Sequence, residues 1–450
     1  MCLERSLYLP LAIRRAALWA VFGIVMVAVA VACGDDSSPG DDPPTLETSR
    51  VNVPGRGGPH GPGVTETEIR FGMTNDLTGS ADTPYAVITT AIQAYFAKVS
   101  AEDSGVCERK LVLMAEDDHY TPEGALDRTK KLVEQDGVLA MIGGLGTAVH
   151  QPVAAYLNDP NADGNLSDGV PDLFVSTGWS GWGDVARYPW TIGYIPAYVT
   201  DGRVLARYIN DKLGGKKVAI LQQNDEFGGD SVIGINETIA DKGLLVWTQA
   251  ADPAPDGLKS QVLQMRDSGS EVAVLALTPE ITAEVFKIAD AEGYAPKWLI
   301  SYINSPSALA REIGGGTLAE QLVKGFEELQ GTVSTAYLLS AIDDAETPPV
   351  IEHRRIMEAY GGPTVSTLSI YGQSLAEAAV ETVARTCETI NRETVRAAAE
   401  SLQGFRSSLM LEGIEVNLSA QDHFAIQTLQ PVEIQVDGTL KEQGDPIAAE

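Results

Sequence analysis

Three features of the sequence predict an α/β protein built as two lobes with helices on both faces of parallel sheets. Short β-type runs alternate with helical ones along most of the chain. Several of those runs are continuously apolar, which suits strands covered on both faces. With 450 residues and 44% hydrophobic content the chain can also fill two cores of ordinary size.

Taken in order, the strand candidates are Ile69 to Met73, Lys110 to Ala115, Leu139 to Ile142, Leu173 to Ser176, Val218 to Leu221, Leu244 to Thr248, Val272 to Leu277 and Trp298 to Ile303. Helices between them carry terminal signals. Thr121 supplies an N-cap, Pro122 a first-turn proline and Glu123 an early acid, while Lys130 and Lys131 fall late and Gly137 follows as the stop. Near the end, a long helix over Ser366 to Thr389 and a capped one from Asn391 give way to β-type text over Gly413 to Leu418 and Ala425 to Val436. No close repeat of 20 to 50 residues points to a solenoid or propeller.

Ahead of this body lies an export signal. Arg5, Arg14 and Arg15 precede an uncharged run of seventeen residues from Ala16 to Ala32 that stops at Cys33. A spanning helix needs about 20 apolar residues, and this run ends in small residues followed by Gly34 and Asp35. Residues 1–32 therefore read as a lipoprotein signal peptide and Cys33 as the lipidated residue. Residues 33–63, dense in Gly, Pro, Asp and Ser, read as a flexible tether whose root-mean-square span is about 30 Å.

Composition excludes some partners. The formal net charge is -30, from 62 acidic against 32 basic residues, so a clustered basic face for nucleic acid is not expected. Of four cysteines, Cys107 and Cys387 remain after Cys2 leaves with the signal and Cys33 takes the lipid. Whether they pair depends on their Cα atoms approaching within about 7 Å, which spacing alone leaves open.

In open α/β sheets, ligands bind where strands turn into helices at their carboxyl ends. Two such turns stand out. Met141 to Thr147 offers Gly143, Gly144 and Gly146 for close backbone approach and Leu145 and Thr147 before a helix, a combination suited to an anion. Val175 to Trp182 combines Gly178, Ser180 and Gly181 with the indoles of Trp179 and Trp182. Gln222 to Gly228 and Thr278 to Glu280 are further candidates on later strands. Catalytic patterns are missing: there is no GxSxG elbow, no phosphate loop and no HExxH, and His60, His119, His150, His353 and His423 each read as surface or capping residues. Glu116 to Asp118 reads as a solvated loop or a hydrogen-bonded turn. No cofactor and no metal are expected.

From about Val64 to Thr439 the chain resembles the type I extracytoplasmic solute-binding proteins of ABC transporters, the branched-chain amino-acid (Leu/Ile/Val) binding family. The resemblance rests on Ile69 to Gly79, the strand ending at Asp118, Leu132 to Asp136, Ile142 to Thr147, Leu173 to Asp184, Pro189 to Tyr194, Gln223 to Gly228 and Asn391 to Val395, in that order. It implies two Rossmann-like lobes, the type I periplasmic binding protein fold, joined by a three-crossover hinge near Gly193 to Pro196, Glu328 to Thr332 and Phe424 to Gln430. Lobe 1 would comprise 64–195 plus 330–426, and lobe 2 would comprise 196–329 plus 427–450.

The resemblance also implies a ligand held through Thr147, Gly178 and Ser180, with Tyr85 and Phe227 as walls and Tyr194 at the first crossover. The neighbouring Leu145, Gly146, Trp179 and Tyr302 complete the expected site. Where amino-acid binders of this family place an acid for the ligand's ammonium, this chain reads Ser301, Tyr302 and Ile303. An ordinary α-amino acid then needs Asp225 or Glu280 as a substitute, and other small carboxylates, including aromatic acids, fit the Trp-rich segment. The expected role is a monomeric, lipid-anchored receptor that binds a small-molecule solute outside the cytoplasm and passes it to ABC permease subunits. A sensory domain acting through a separate membrane partner is the alternative, and an anchored hydrolase using Glu116, Asp118 and a histidine is a third reading disfavoured by the missing motifs.

Overall fold

A computed structural model of the chain describes residues 60–78, 82–252 and 254–449. The expected signal peptide, the proposed lipidation site Cys33 and the expected tether up to residue 59 lie outside the described residues. The first part of lobe 1 holds β1 (Glu68–Asn75), α1 (Asp82–Glu102), β2 (Lys110–Asp117), α2 (Pro122–Lys130), β3 (Ala140–Ile142), α3 (Thr147–Asn158), β4 (Asp172–Val175) and β5 (Thr191–Gly193). Lobe 2 then follows as α4 (Tyr198–Lys212), β6 (Val218–Gln222), α5 (Glu226–Ile239), β7 (Leu245–Ala250), α6 (Pro255–Asp267), β8 (Val272–Ala276), α7 (Pro279–Ala291), β9 (Lys297–Ile300), α8 (Pro306–Gly314), α9 (Leu318–Leu329) and β10 (Val333–Ala336). The chain returns to lobe 1 for α10 (Pro348–Ala359), α11 (Thr367–Ala384) and α12 (Arg392–Glu400). It ends in lobe 2 with β11 (Thr428–Ile434), β12 (Leu440–Glu442) and β13 (Ile447–Ala448).

Each lobe is a doubly wound sheet. Lobe 1 runs β2-β1-β3-β4-β5 with every pair parallel. The parallel part of lobe 2 runs β7-β6-β8-β9-β10, the same order of second, first, third, fourth and fifth strand, and an antiparallel β11-β12 edge is added beyond β10. β3, β4 and β8 are buried along their whole length, as continuously apolar strands require. In this order the strand sequence reverses between the first and third strands, so each lobe has one switch point, at β1/β3 and at β6/β8.

The local signals place the helices. Thr121 Oγ1 accepts the Gly124 N–H at 3.1 Å, Asn391 Oδ1 accepts Thr394 N–H at 2.9 Å and Ser366 Oγ accepts Ser369 N–H at 3.2 Å, so all three caps form. Cys107, after α1, and Cys387, just beyond α11, are joined in a disulfide with their Cα atoms 5.2 Å apart. It ties the two lobe 1 segments across a sequence separation of 280.

Four expectations are corrected. Residues 330–336 belong to lobe 2, because β10 pairs with β9 at Val333 and Leu299 and with β11 from Val333 to Ala336; the second crossover starts at Tyr337. The expected tether does not extend to residue 63: Gly61 N–H donates to the Ile390 carbonyl at 2.7 Å and Arg70 N–H to the Gly63 carbonyl at 2.8 Å. Three histidines are core residues. His150, His353 and His423 are buried, bonded to Asp172 (2.8 Å), to Gln373 and Ser369 (2.8 and 2.9 Å) and to the Thr191 carbonyl (2.8 Å) respectively, since a buried imidazole needs its nitrogens partnered. Finally, no strand forms over Gly413 to Leu418, where a single bridge joins Val416 to Phe405.

Candidate ligand-binding cleft

A cavity of about 200 Å³ lies where the two switch points face each other. Lobe 1 contributes Tyr85 at the start of α1, Tyr120 beyond β2, and Leu145, Gly146 and Thr147 between β3 and α3. Lobe 2 answers with Tyr198 at the start of α4, Asp225 and Phe227 at the start of α5, Thr278 before α7 and Tyr302 beyond β9. Ile195 and Tyr337 come from the crossovers and Tyr371 from α11.

The turn into α3 is the most specialised wall. Gly143 and Gly146 have φ of 68° and 83°, a region that L side chains rarely adopt, and a Cβ on Gly146 would meet the Tyr120 ring at 2.9 Å. Thr147 opens a helix of twelve residues, whose first N–H groups have no intrahelical partner and carry partial positive charge. The Thr147 hydroxyl lies 2.6 Å from that of Thr177, which the Tyr198 hydroxyl approaches at 3.4 Å from the other lobe. No lysine, arginine or histidine is among the described residues lining the cavity. An anion here would be held by amides and neutral hydroxyls.

Burial raises the pKa values of Tyr85, Tyr120, Tyr198, Tyr302, Tyr337 and Tyr371 above the ordinary phenol value, so all six remain protonated. Asp225 is the charged residue on the wall. Its Oδ1 accepts the Gly228 N–H at 3.1 Å and its Oδ2 accepts Gln223 Nε2 at 2.7 Å, while Gln223 Oε1 takes the Thr278 N–H at 3.1 Å. Asp225 thus caps α5 and helps tie the β6 turn to the β8 turn. Glu116 and Asp117 end β2, where Glu116 accepts from Lys131 at 2.7 Å and Asp117 accepts Leu77 and His119 N–H, and Asp118 opens the following turn by accepting Tyr120 N–H.

Of the residues singled out from sequence, Tyr85, Leu145, Gly146, Thr147, Phe227 and Tyr302 line the cavity. Gly178, Trp179, Ser180 and Tyr194 lie outside that lining. Tyr194 is fully buried in the lobe 1 core, its hydroxyl 2.6 Å from Ser374 Oγ, because the end of β5 points it toward α11 and away from the cleft. Trp179 packs edge-on against Trp182 at 4.8 Å and covers a corner of lobe 1. The Gly178 carbonyl accepts Tyr198 N–H at 2.7 Å, and a Cβ there would sit 2.5 Å from the Pro196 carbonyl oxygen. Ser180 reaches lobe 2: its N–H donates to Asp230 Oδ2 at 2.6 Å and its Oγ to Oδ1 at 2.8 Å.

Sequence reasoning missed Tyr120, Tyr198 and Tyr371. Tyr120 had a usable signal, since it lies just past a strand end. Tyr198 and Tyr371 arrive from helix positions that look like any amphipathic tyrosine.

Two doubly wound lobes meeting at their switch points around a ligand-sized cavity define a two-lobed binding protein. The chain belongs to the periplasmic binding protein family, whose model matches residues 68–439. That family is a solute-binding fold found outside the cytoplasm, and no helix among the described residues is long and apolar enough to cross a membrane. Similar solved structures include a possible leucine/isoleucine/valine-binding protein from Rhodopirellula baltica SH 1, at 21% identity and TM-score 0.69 over 84% of this chain and 96% of that one. A branched chain amino acid ABC transporter protein from Thermus thermophilus with bound valine gives 17% identity and TM-score 0.71 over 86% and 97%. A fatty acid ABC transporter substrate-binding protein from Thermomonospora curvata gives 21% and 0.69 over 85% and 94%. No curated protein sequence matches the chain.

Proposed function

We propose that the chain is the solute-binding component of an ABC importer, anchored through a lipid on Cys33, which closes its two lobes as a monomer on a small organic carboxylate and hands it to the permease. The observation that carries this reading is the α3 turn: free helix-start amides, glycines with positive φ and a Thr147–Thr177–Tyr198 hydroxyl cluster, set across the cavity from an aromatic wall and with no cation among the described lining residues. Two of the similar structures are described with valine bound and as a fatty acid binder, and both ligands present a carboxylate. Tyr85, Leu145, Gly146, Thr147, Phe227 and Tyr302 make the ligand contacts, and Ser180 contributes through lobe closure. Thermal unfolding of the chain lacking residues 1–32, run against a broad metabolite panel, tests the receptor reading. A bound carboxylate at one hundred times its dissociation constant should stabilise the fold by about 2.7 kcal/mol without being turned over. Silence across the whole panel would sink the reading. Detergent partitioning of wild type and Cys33→Ala tests the anchor, which predicts that only the variant enters the aqueous phase.

A further inference from the structure

The cavity does not stop at the cleft. It continues into lobe 2 alongside β10, β11 and β12, beneath residues 338–342, as far as Gly438 and Leu440. The strand register gives its reach. Ala336 pairs with Gln430 and Leu440 with Ile434, four residues further along β11, a span of about 13 Å at about 3.3 Å per residue. This arm is lined by Ile303, Pro306, Leu338, Ile342, Val432 and Leu440. Two of the hydroxyls along it are committed to the protein: Thr335 Oγ1 donates to Asp201 at 2.6 Å, and Ser340 Oγ accepts the Ile342 and Asp343 N–H groups at 3.1 Å each.

At the cleft end, an ammonium finds poor accommodation. Asp225 is the one charged residue among the described lining residues, and each of its oxygens already accepts one hydrogen bond that holds the α5 cap or the β6 turn, so an ammonium there would have to share an acceptor that the fold uses. Burying an ammonium without a committed partner costs several kcal/mol. A carboxylate with an uncharged, extended tail meets neither difficulty.

Resting on the receptor reading, we infer that the solute is a medium-chain aliphatic monocarboxylate, its carboxylate at the α3 turn and its tail along the β10–β12 arm, and that α-amino acids are excluded. Each methylene buried in the arm contributes about 0.8 kcal/mol, a roughly fourfold gain in affinity.

Calorimetric titration of the chain lacking residues 1–32 with butyrate, hexanoate, octanoate and decanoate, beside leucine, valine and benzoate, tests the inference. The dissociation constant should fall roughly fourfold per added methylene until the arm is full. Leu440→Trp should erase the gain beyond hexanoate while butyrate binds as before; Ile342→Trp, on the exposed segment, gives the same reading if the first variant does not fold. A flat chain-length series, an equal loss for short and long chains in the variants, or tighter binding of leucine, valine or benzoate would overturn the inference while leaving a solute receptor standing. Silence across the broad metabolite panel would instead remove the receptor reading itself.

Discussion

The turns after β3 and β4 are neighbours in one sheet, bridged at Leu145 and Ser176, and both carry glycines, a hydroxyl and an approach to the cleft. They end in different partners. The first runs into α3, whose start lines the cavity and carries no side-chain cap bond. The second runs into a single short turn over Ser180–Gly183, and its Ser180 amide and hydroxyl are both taken by the Asp230 carboxylate of the opposite lobe. The first is the turn we assign to the ligand, and its neighbour links the lobes through Ser180 and Asp230. What stands opposite each helix start makes the difference: the Asp230 carboxylate meets Ser180, whereas no side-chain cap meets the start of α3, beside the cavity.

Four expected outcomes separate the two turns, the largest effect first. Gly178→Val pushes a Cβ to 2.5 Å from the Pro196 carbonyl and 3.0 Å from the Tyr198 nitrogen; the overpacking should cost about 3 kcal/mol of stability, read from chemical denaturation. Thr147→Val keeps the shape and removes the hydroxyl, so affinity for the carboxylate should weaken by about 1–2 kcal/mol while free-protein stability falls by less, since the Thr177 hydroxyl keeps Tyr198 at 3.4 Å. Equal damage to both quantities would show that Thr147 is a packing residue. Asp230→Asn retains the volume and loses one acceptor, and should weaken binding by about 1 kcal/mol through closure alone, with no change in free-protein stability.

The smallest effect is a pH slope. Desolvation in the closed form raises the Asp230 carboxyl above its ordinary value, outweighing the Ser180 hydrogen bonds that lower it, and opening returns the group to water. The closed form therefore binds the proton more tightly, so affinity should fall as pH rises from the ordinary carboxylate value through the raised one and level off above it. Titrations at several pH values should show that slope in wild type and a flatter one in Asp230→Asn. An identical slope in both proteins would assign it to another group.

Much of the fold is legible in the sequence because buried parallel strands and helix caps leave local marks: Val272 to Leu277 reads as a covered strand, and Thr121, Ser366 and Asn391 read as caps. β5 and β10 leave too little text, three and four residues that need their neighbours to become strands, which is why the sequence alone places the second crossover too early. The α3 turn is legible from its glycines. The closure role of Ser180 is not, because its chemistry depends on Asp230, fifty residues away on another lobe. Tyr198 and Tyr371 are hidden for the same reason: the wall they form exists only after three separate segments converge.

Asp201 shows the same dependence on convergence. It is fully buried beneath the crossovers, accepts from Thr335, and desolvation lifts its carboxyl from 3.8 to about 6. A carboxyl raised in the folded state costs stability once ionised, so the protein should lose about 2–3 kcal/mol as pH climbs from about 4 to about 6, a fall that denaturation at stepped pH would register.

The Cys107–Cys387 bond encloses the α4 to β10 part of lobe 2 in one covalent loop, leaving only the β11 to β13 edge outside it. A protease that cuts once inside that loop, for instance at the exposed Gly214 or Gly215, parts the backbone but releases no fragment. The nicked chain should migrate as one species on a non-reducing gel and as two after reduction. Both halves of the cleft thus stay covalently joined through a first cut.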